Sequence, residues 1–84
     1  MKKTPADVLD FYDMEVATMI CEKYGIKQME ALRRFLASET YVMLADAKLQ
    51  MWQFGPPAIF DMWESEQITG DPRNSLYLRG DDVV

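Results

Sequence analysis

Carboxylates are the most numerous groups in this chain that could do chemistry, and their spacing limits what they could do. Asp7, Asp10 and Asp13 recur every third residue, and Asp61, Glu64 and Glu66 lie a short way before Asp71. Oxygen ligands of this kind suit a hard cation. Neither set has the alternating acids and fixed glycine of a calcium loop. Asp7, Asp10 and Asp13 read instead as the wet face of a helix near its positive end. Glu64 and Glu66 stand two apart, so on a helix they point in different directions and do not form an acid–base pair. The single thiol, Cys21, follows Ile20 on an apolar stretch, and the chain contains no histidine to activate it. Ser38 and Ser65 have no base placed beside them, and the four glycines are scattered rather than gathered into a phosphate-cradling loop. The expectation is a non-enzyme with no catalytic residues, no metal and no cofactor.

Binding is the remaining class. Two helices meeting near Ser38 would imitate a helix-turn-helix, the basis of an alternative reading as a small DNA-binding regulator. The segment that would enter the groove, Glu39 to Lys48, sets Glu39 and Asp46 against Lys48 alone. It offers little to phosphates or guanine edges. Arg33 and Arg34 are the one basic pair beyond Lys2-Lys3, and a solvated helix face accounts for them. Trp52, Phe54, Trp63 and Tyr77, with Arg73 and Arg79, carry the residue types enriched in protein–protein hot spots. Leu76-Tyr77-Leu78 is short and apolar enough to pair with a strand of another chain, or to fold back and seal the end of its own core. Trp52, Trp63, Leu76, Tyr77 and Arg79 are the candidate partner-binding residues.

The elements that must position these residues are mostly helical. Thr4-Pro5-Ala6-Asp7 reads as a helix start, with Thr4 as cap, Pro5 in the first turn and Asp7 against the dipole. Leu9, Tyr12, Val16, Ile20 and Tyr24 keep helical spacing, widened by Val8, Phe11 and Met19, and Gly25 supplies the left-handed stop. A second helix is predicted over Lys27 to Ala37, with Met29, Leu32 and Leu36 inward, Ala31 and Phe35 flanking, and Arg33 and Arg34 outward. Ser38 caps a third helix through Glu39, Tyr41, Leu44 and Ala47; one bent helix from Lys27 to Lys48 is the alternative. Leu49 to Phe54 fits neither period and reads as a connector whose aromatics tuck onto the core. Gly55-Pro56-Pro57 interrupts the chain and Pro57 opens a last helix to Ile68. Ile59, Met62 and Trp63 form its buried edge, and Asp61, Glu64 and Glu66 its wet edge. Asp71-Pro72-Arg73-Asn74 signals a turn.

Composition sets the frame. Eighty-four residues with a formal net charge of −5 and 49% hydrophobic content make one small domain. The expected architecture is an all-α bundle of three to four short helices over residues 1–70, with a C-terminal tail over 71–84 that forms a short strand or a solvated end. Helices this short are marginal alone, so their apolar stripes must be buried on one another. Such a domain buries only about 60% of its unfolded surface, and self-association is a way to add buried area. The acidic balance opposes nucleic-acid binding through bulk charge. No apolar run approaches the roughly 18 residues of a membrane span, no leader-like segment opens the sequence, and a lone cysteine suits a reducing cytoplasm.

Glu22-Lys23-Tyr24-Gly25-Ile26, Glu30-Ala31-Leu32, Phe35-Leu36, Ser38-Glu39-Thr40-Tyr41, Leu44, Trp52 and Pro56-Pro57 together resemble a group of small bacterial proteins of unknown function. Several such families are encoded beside ADP-ribosyltransferase-like toxins. The resemblance spans Val16 to Glu66 and is carried by apolar, structural positions. It implies a helical protein that binds another protein, as the antitoxin-like half of a bacterial pair, and it transfers no functional residue. The functional expectation is a non-catalytic protein–protein interaction module that binds a protein partner or a second copy of itself.

Overall fold

A computed structural model describes residues 3–75 as an all-α fold. Helix α1 spans Ala6–Tyr24, α2 Gln28–Leu36, α3 Glu39–Ala45 and α4 Pro56–Thr69. Short 3₁₀ turns at Ala47–Leu49 and Met51–Phe54 carry the chain from α3 to α4, and a third at Pro72–Asn74 follows α4. No described helix is long and apolar enough to cross a membrane. The tail segment Leu76-Tyr77-Leu78, read as a candidate strand, lies outside the described residues.

Local chemistry accounts for most boundaries. Gly25, at φ 67°, ends α1 and donates its N–H to the Cys21 carbonyl; this left-handed conformation is one that residues with a Cβ resist. Gly55 precedes α4 at φ 87° and ψ 158°, a region open essentially to glycine alone. Pro56, one residue earlier than expected, then takes the first helical position, where its missing N–H costs nothing. Ser38 divides α2 from α3 with both halves of its hydroxyl. Its Oγ donates to the Phe35 carbonyl at 2.6 Å and accepts from the Tyr41 N–H at 3.1 Å. That double use, with Ser38 extended at φ −88° and ψ 159°, breaks what would otherwise run on as a single bent helix.

The start of α1 departs from the expectation. Pro5 occupies the cap position without a side-chain bond. Thr4, buried, turns instead to the end of α3, where its Oγ1 donates to the Leu44 carbonyl at 2.6 Å and its N–H to the Ala45 carbonyl at 2.9 Å. Lys3 and Asp46 form an isolated antiparallel bridge beside it. The threonine predicted as a local cap is therefore a long-range tie, because a buried hydroxyl gains more from an orphaned helix-end carbonyl than from an exposed amide.

The core is shared by all four helices. Tyr12, Val16, Ala17 and Ile20 of α1 meet Ala31 and Phe35 of α2, Met43 and Leu44 of α3, Met51 of the connector, and Ala58, Ile59, Met62 and Trp63 of α4. The α4 stripe matches the expected one, and Tyr12, Val16 and Ile20 hold the centre of the α1 stripe; Phe11 and Tyr24, expected within it, are exposed, and Ala17 is buried in addition. The α2 stripe does not match: Ala31 and Phe35, read as flanks, are the buried residues. Phe35 stands edge-on to Tyr41 with ring centroids 5.5 Å apart. The small Ala17 and Ala31, both fully buried, let α1 and α2 approach closely.

Candidate interaction surface

The polar edge of α4 is occupied by structural bonds. Glu66 reaches the start of α3, where its carboxylate accepts from the backbone N–H groups of Glu39 and Thr40, each at 2.9 Å, and from Thr40 Oγ1 at 2.7 Å. A carboxylate at a helix N-terminus satisfies orphaned amides and meets the positive end of the dipole. Glu64 accepts from Tyr24 Oη at 2.5 Å and pairs with Lys23 Nζ at 2.6 Å. Partial burial raises the Glu64 pKa, but the bonds from Lys23 and Tyr24 bring it to a net position below the ordinary carboxylate value. Asp61 accepts from Ser75 Oγ at 2.5 Å, which fastens the segment after α4 back onto it. The three acids expected to face water are thus ties from α4 to α3, α1 and the following turn.

The outer face of α2 has the opposite character. Met29 is 71% exposed and Leu36 41% exposed, although both were expected to point inward. With half-buried Leu32, Arg33 and Ala37 they line an open depression of about 390 Å³. Arg33 lies along this face, 3.8 Å from Glu30, and Arg34 Nε pairs with the other oxygen of the same carboxylate at 3.0 Å. Arg33, Arg34 and Lys27 set three positive charges around one helix, against a single acid, in a chain whose net charge is negative. Methionine and leucine on such a face make an apolar patch able to adapt to a partner's shape.

The outer face of α1 complements it. Phe11 is 53% exposed and Met14 56% exposed, three residues apart on one side of the helix. Asp7, Asp10 and Glu15, each within four residues of Phe11 or Met14 on the helix, flank them, all exposed. At the inner margin of this face Asp13 is half-buried, and its Oδ1 is fully enclosed without a hydrogen-bond partner among the described residues. Burial, and then the charge of Asp10, push its pKa up to about 6. Burial and the same two acids raise the Tyr41 phenol. Asp7, Asp10 and Asp13 do not converge as metal ligands, and among the described residues no cluster of three or more acids or thiols has the proximity a metal ion requires.

The residues singled out from the sequence fall differently. Trp63 is only 3% exposed, stacked on Phe60 at 6.4 Å and edge-on to Tyr24 at 6.1 Å, so this expected anchor is a core side chain. Trp52 is half-buried against the core, and its carbonyl accepts from the Tyr12 hydroxyl. That hydroxyl also accepts from the Gly55 N–H at 3.1 Å, which clamps the connector onto α1. Arg73 is committed to Glu39 at 2.8 Å and Asp71 at 3.2 Å. Leu76, Tyr77 and Arg79 lie outside the described residues. For a helix-turn-helix, the N-terminus of α3 would have to present its amides and side chains to DNA, but Glu66 already holds those amides. The signal for the α2 face was present in the sequence. Met29, Leu32 and Leu36 form one periodic set and Ala31 with Phe35 another, so apolar residues take up more of this nine-residue helix than the core can cover; Leu32 still packs on the core, and Met29 and Leu36 are left outside. No protein-family model matches the chain, and no curated protein or solved structure shows significant similarity to it.

Proposed function

We propose that this protein is a non-catalytic protein–protein association module, with the outer face of α2 as its binding surface. The observation that carries the reading is the exposed apolar side of α2: Met29 and Leu36 lie on the surface beside Leu32, which is half-buried against the core that Ala31 and Phe35 fill. Exposed apolar patches rimmed by charge mark interaction sites. The acids of α4 support the non-catalytic part, since Asp61, Glu64 and Glu66 each serve a structural bond. An antitoxin-like role in a bacterial cytoplasm is the biological setting this reading favours, with a toxin or a second copy as the bound protein.

The test is a double substitution, Met29→Gln with Leu36→Gln. It is expected to keep the helical circular dichroism and thermal midpoint of the parent while abolishing association, measured both as self-association by sedimentation and as capture of partners from the source cell. Undiminished association by both measures would remove α2 as the surface.

A further inference from the structure

We infer that the occupant of the α2 face is a second copy of this chain, seated through the outer face of its α1. The inference rests on α2 being an association surface and adds the identity of the partner. The argument is charge and shape complementarity between two faces already described. The α2 face presents Met29, Leu32 and Leu36 with Arg33 among them and Lys27 at the helix start, both basic residues exposed. The α1 face presents Phe11 and Met14 flanked by Asp7, Asp10 and Glu15. The α2 face is net basic, with Lys27, Arg33 and Arg34 against Glu30 alone, and the α1 face is acidic. Two copies of α2 placed face to face would instead set Arg33 against Arg33, and two copies of α1 would bring their acids together, so the like pairings are disfavoured. Phe11 and Met14 are of the size to enter the depression between Met29, Leu32 and Leu36.

Area adds a second constraint. A stable interface buries at least about 1,200 Å² in total, which favours an assembly that makes the contact twice. In a twofold pair α2 of each copy meets α1 of the other, so the contact is made twice and the assembly closes. The product is a dimer in which the two acidic α1 faces are each covered by a basic α2.

Charge exchange tests this with the full chain. One variant carries Lys27→Glu and Arg33→Glu; the other carries Asp10→Lys and Glu15→Lys. All four positions are exposed, and circular dichroism checks that each variant is folded. The parent is expected to sediment as a dimer whose affinity falls with added salt. Each variant alone is expected to dissociate at roughly ten-fold or more higher concentration than the parent. An equimolar mixture is expected to recover the dimer, and to lose it again when both chains also carry Met29→Gln and Leu36→Gln. A monomeric parent at about millimolar concentration would overturn the inference, as would a dimer unaffected by either charge reversal or a mixture that stays apart. If the parent is monomeric while capture of another protein still depends on Met29 and Leu36, the second copy is excluded and the association module stands.

Discussion

The polar edge of α4 and the apolar outer face of α2 exchange the roles their compositions suggest. Asp61, Glu64 and Glu66 have the types and spacing of a solvated edge, yet each reaches across to another element and holds it. Met29, Leu32 and Leu36 have the types and spacing of a core stripe, yet Met29 and Leu36 are exposed and only Leu32 packs on the core. A domain of this size has too few apolar side chains to fix every helix by burial alone, so charge-assisted hydrogen bonds to helix ends do part of the fastening. Met29 and Leu36, which the core does not use, are left on the surface.

That contrast can be broken by substitution. Phe35→Ala, on the inner face of α2, is expected to cost about 3–5 kcal/mol of stability, read as a fall in the urea midpoint. A loss below about 1 kcal/mol would mean that the α2 face has been assigned the wrong way round. Glu66→Ala comes next. Removing the acceptor of three bonds at the start of α3 is expected to cost about 2–3 kcal/mol, with hydrogen exchange accelerating first at the α3 amides. A neutral Glu66→Ala would return this edge of α4 to ordinary solvated surface.

Asp13 gives a smaller effect with a defined pH window. Its pKa in the folded chain, about 6, lies above the ordinary value of 3.8, so the folded state holds the proton more tightly than the unfolded chain. This group's stabilising contribution is complete below about pH 4 and is lost as pH rises through about 6. Glu64, held below the ordinary value, works in the opposite sense and loses its contribution in more acidic solution. Asp13→Asn is therefore expected to stabilise the protein at pH 7 by roughly 1–2 kcal/mol, after allowance for solvent around a half-buried group, and to leave it unchanged at pH 4. Chemical denaturation at the two pH values is the measurement, and an equal effect at both would remove the titration as the cause. The smallest effect belongs to the outer α2 face, where Met29→Gln with Leu36→Gln is expected to change monomer stability by no more than about 0.5 kcal/mol. A larger loss would make these side chains part of the core.

Legibility followed the range of the interaction. Gly25 and Gly55-Pro56 announced breaks between helices, and Ser38 offered one against the alternative of a single bent helix, because backbone conformation and capping are settled within a few residues. The stripes of α1 and α4 were readable as well, because each has one dominant apolar face. Thr4 and Glu66 were misread for a common reason: their partners at Leu44 and Thr40 lie far away along the chain. An isolated Thr before Pro looks like a cap and an isolated Glu like surface, whereas Trp63 sits on the buried edge that periodicity assigned it.

The sequence by itself determined that this chain is helical, that α1 stops at Gly25 and α4 starts at the Gly55-Pro56 break, and that it carries no histidine and a negative net charge. Tertiary structure alone decided which of the two α2 stripes faces inward. Periodicity defines the spacing of a face and not its direction. The direction was set by Ala31 fitting close beside α1 and by Phe35 packing against Tyr41, and these contacts exist only once the helices have come together.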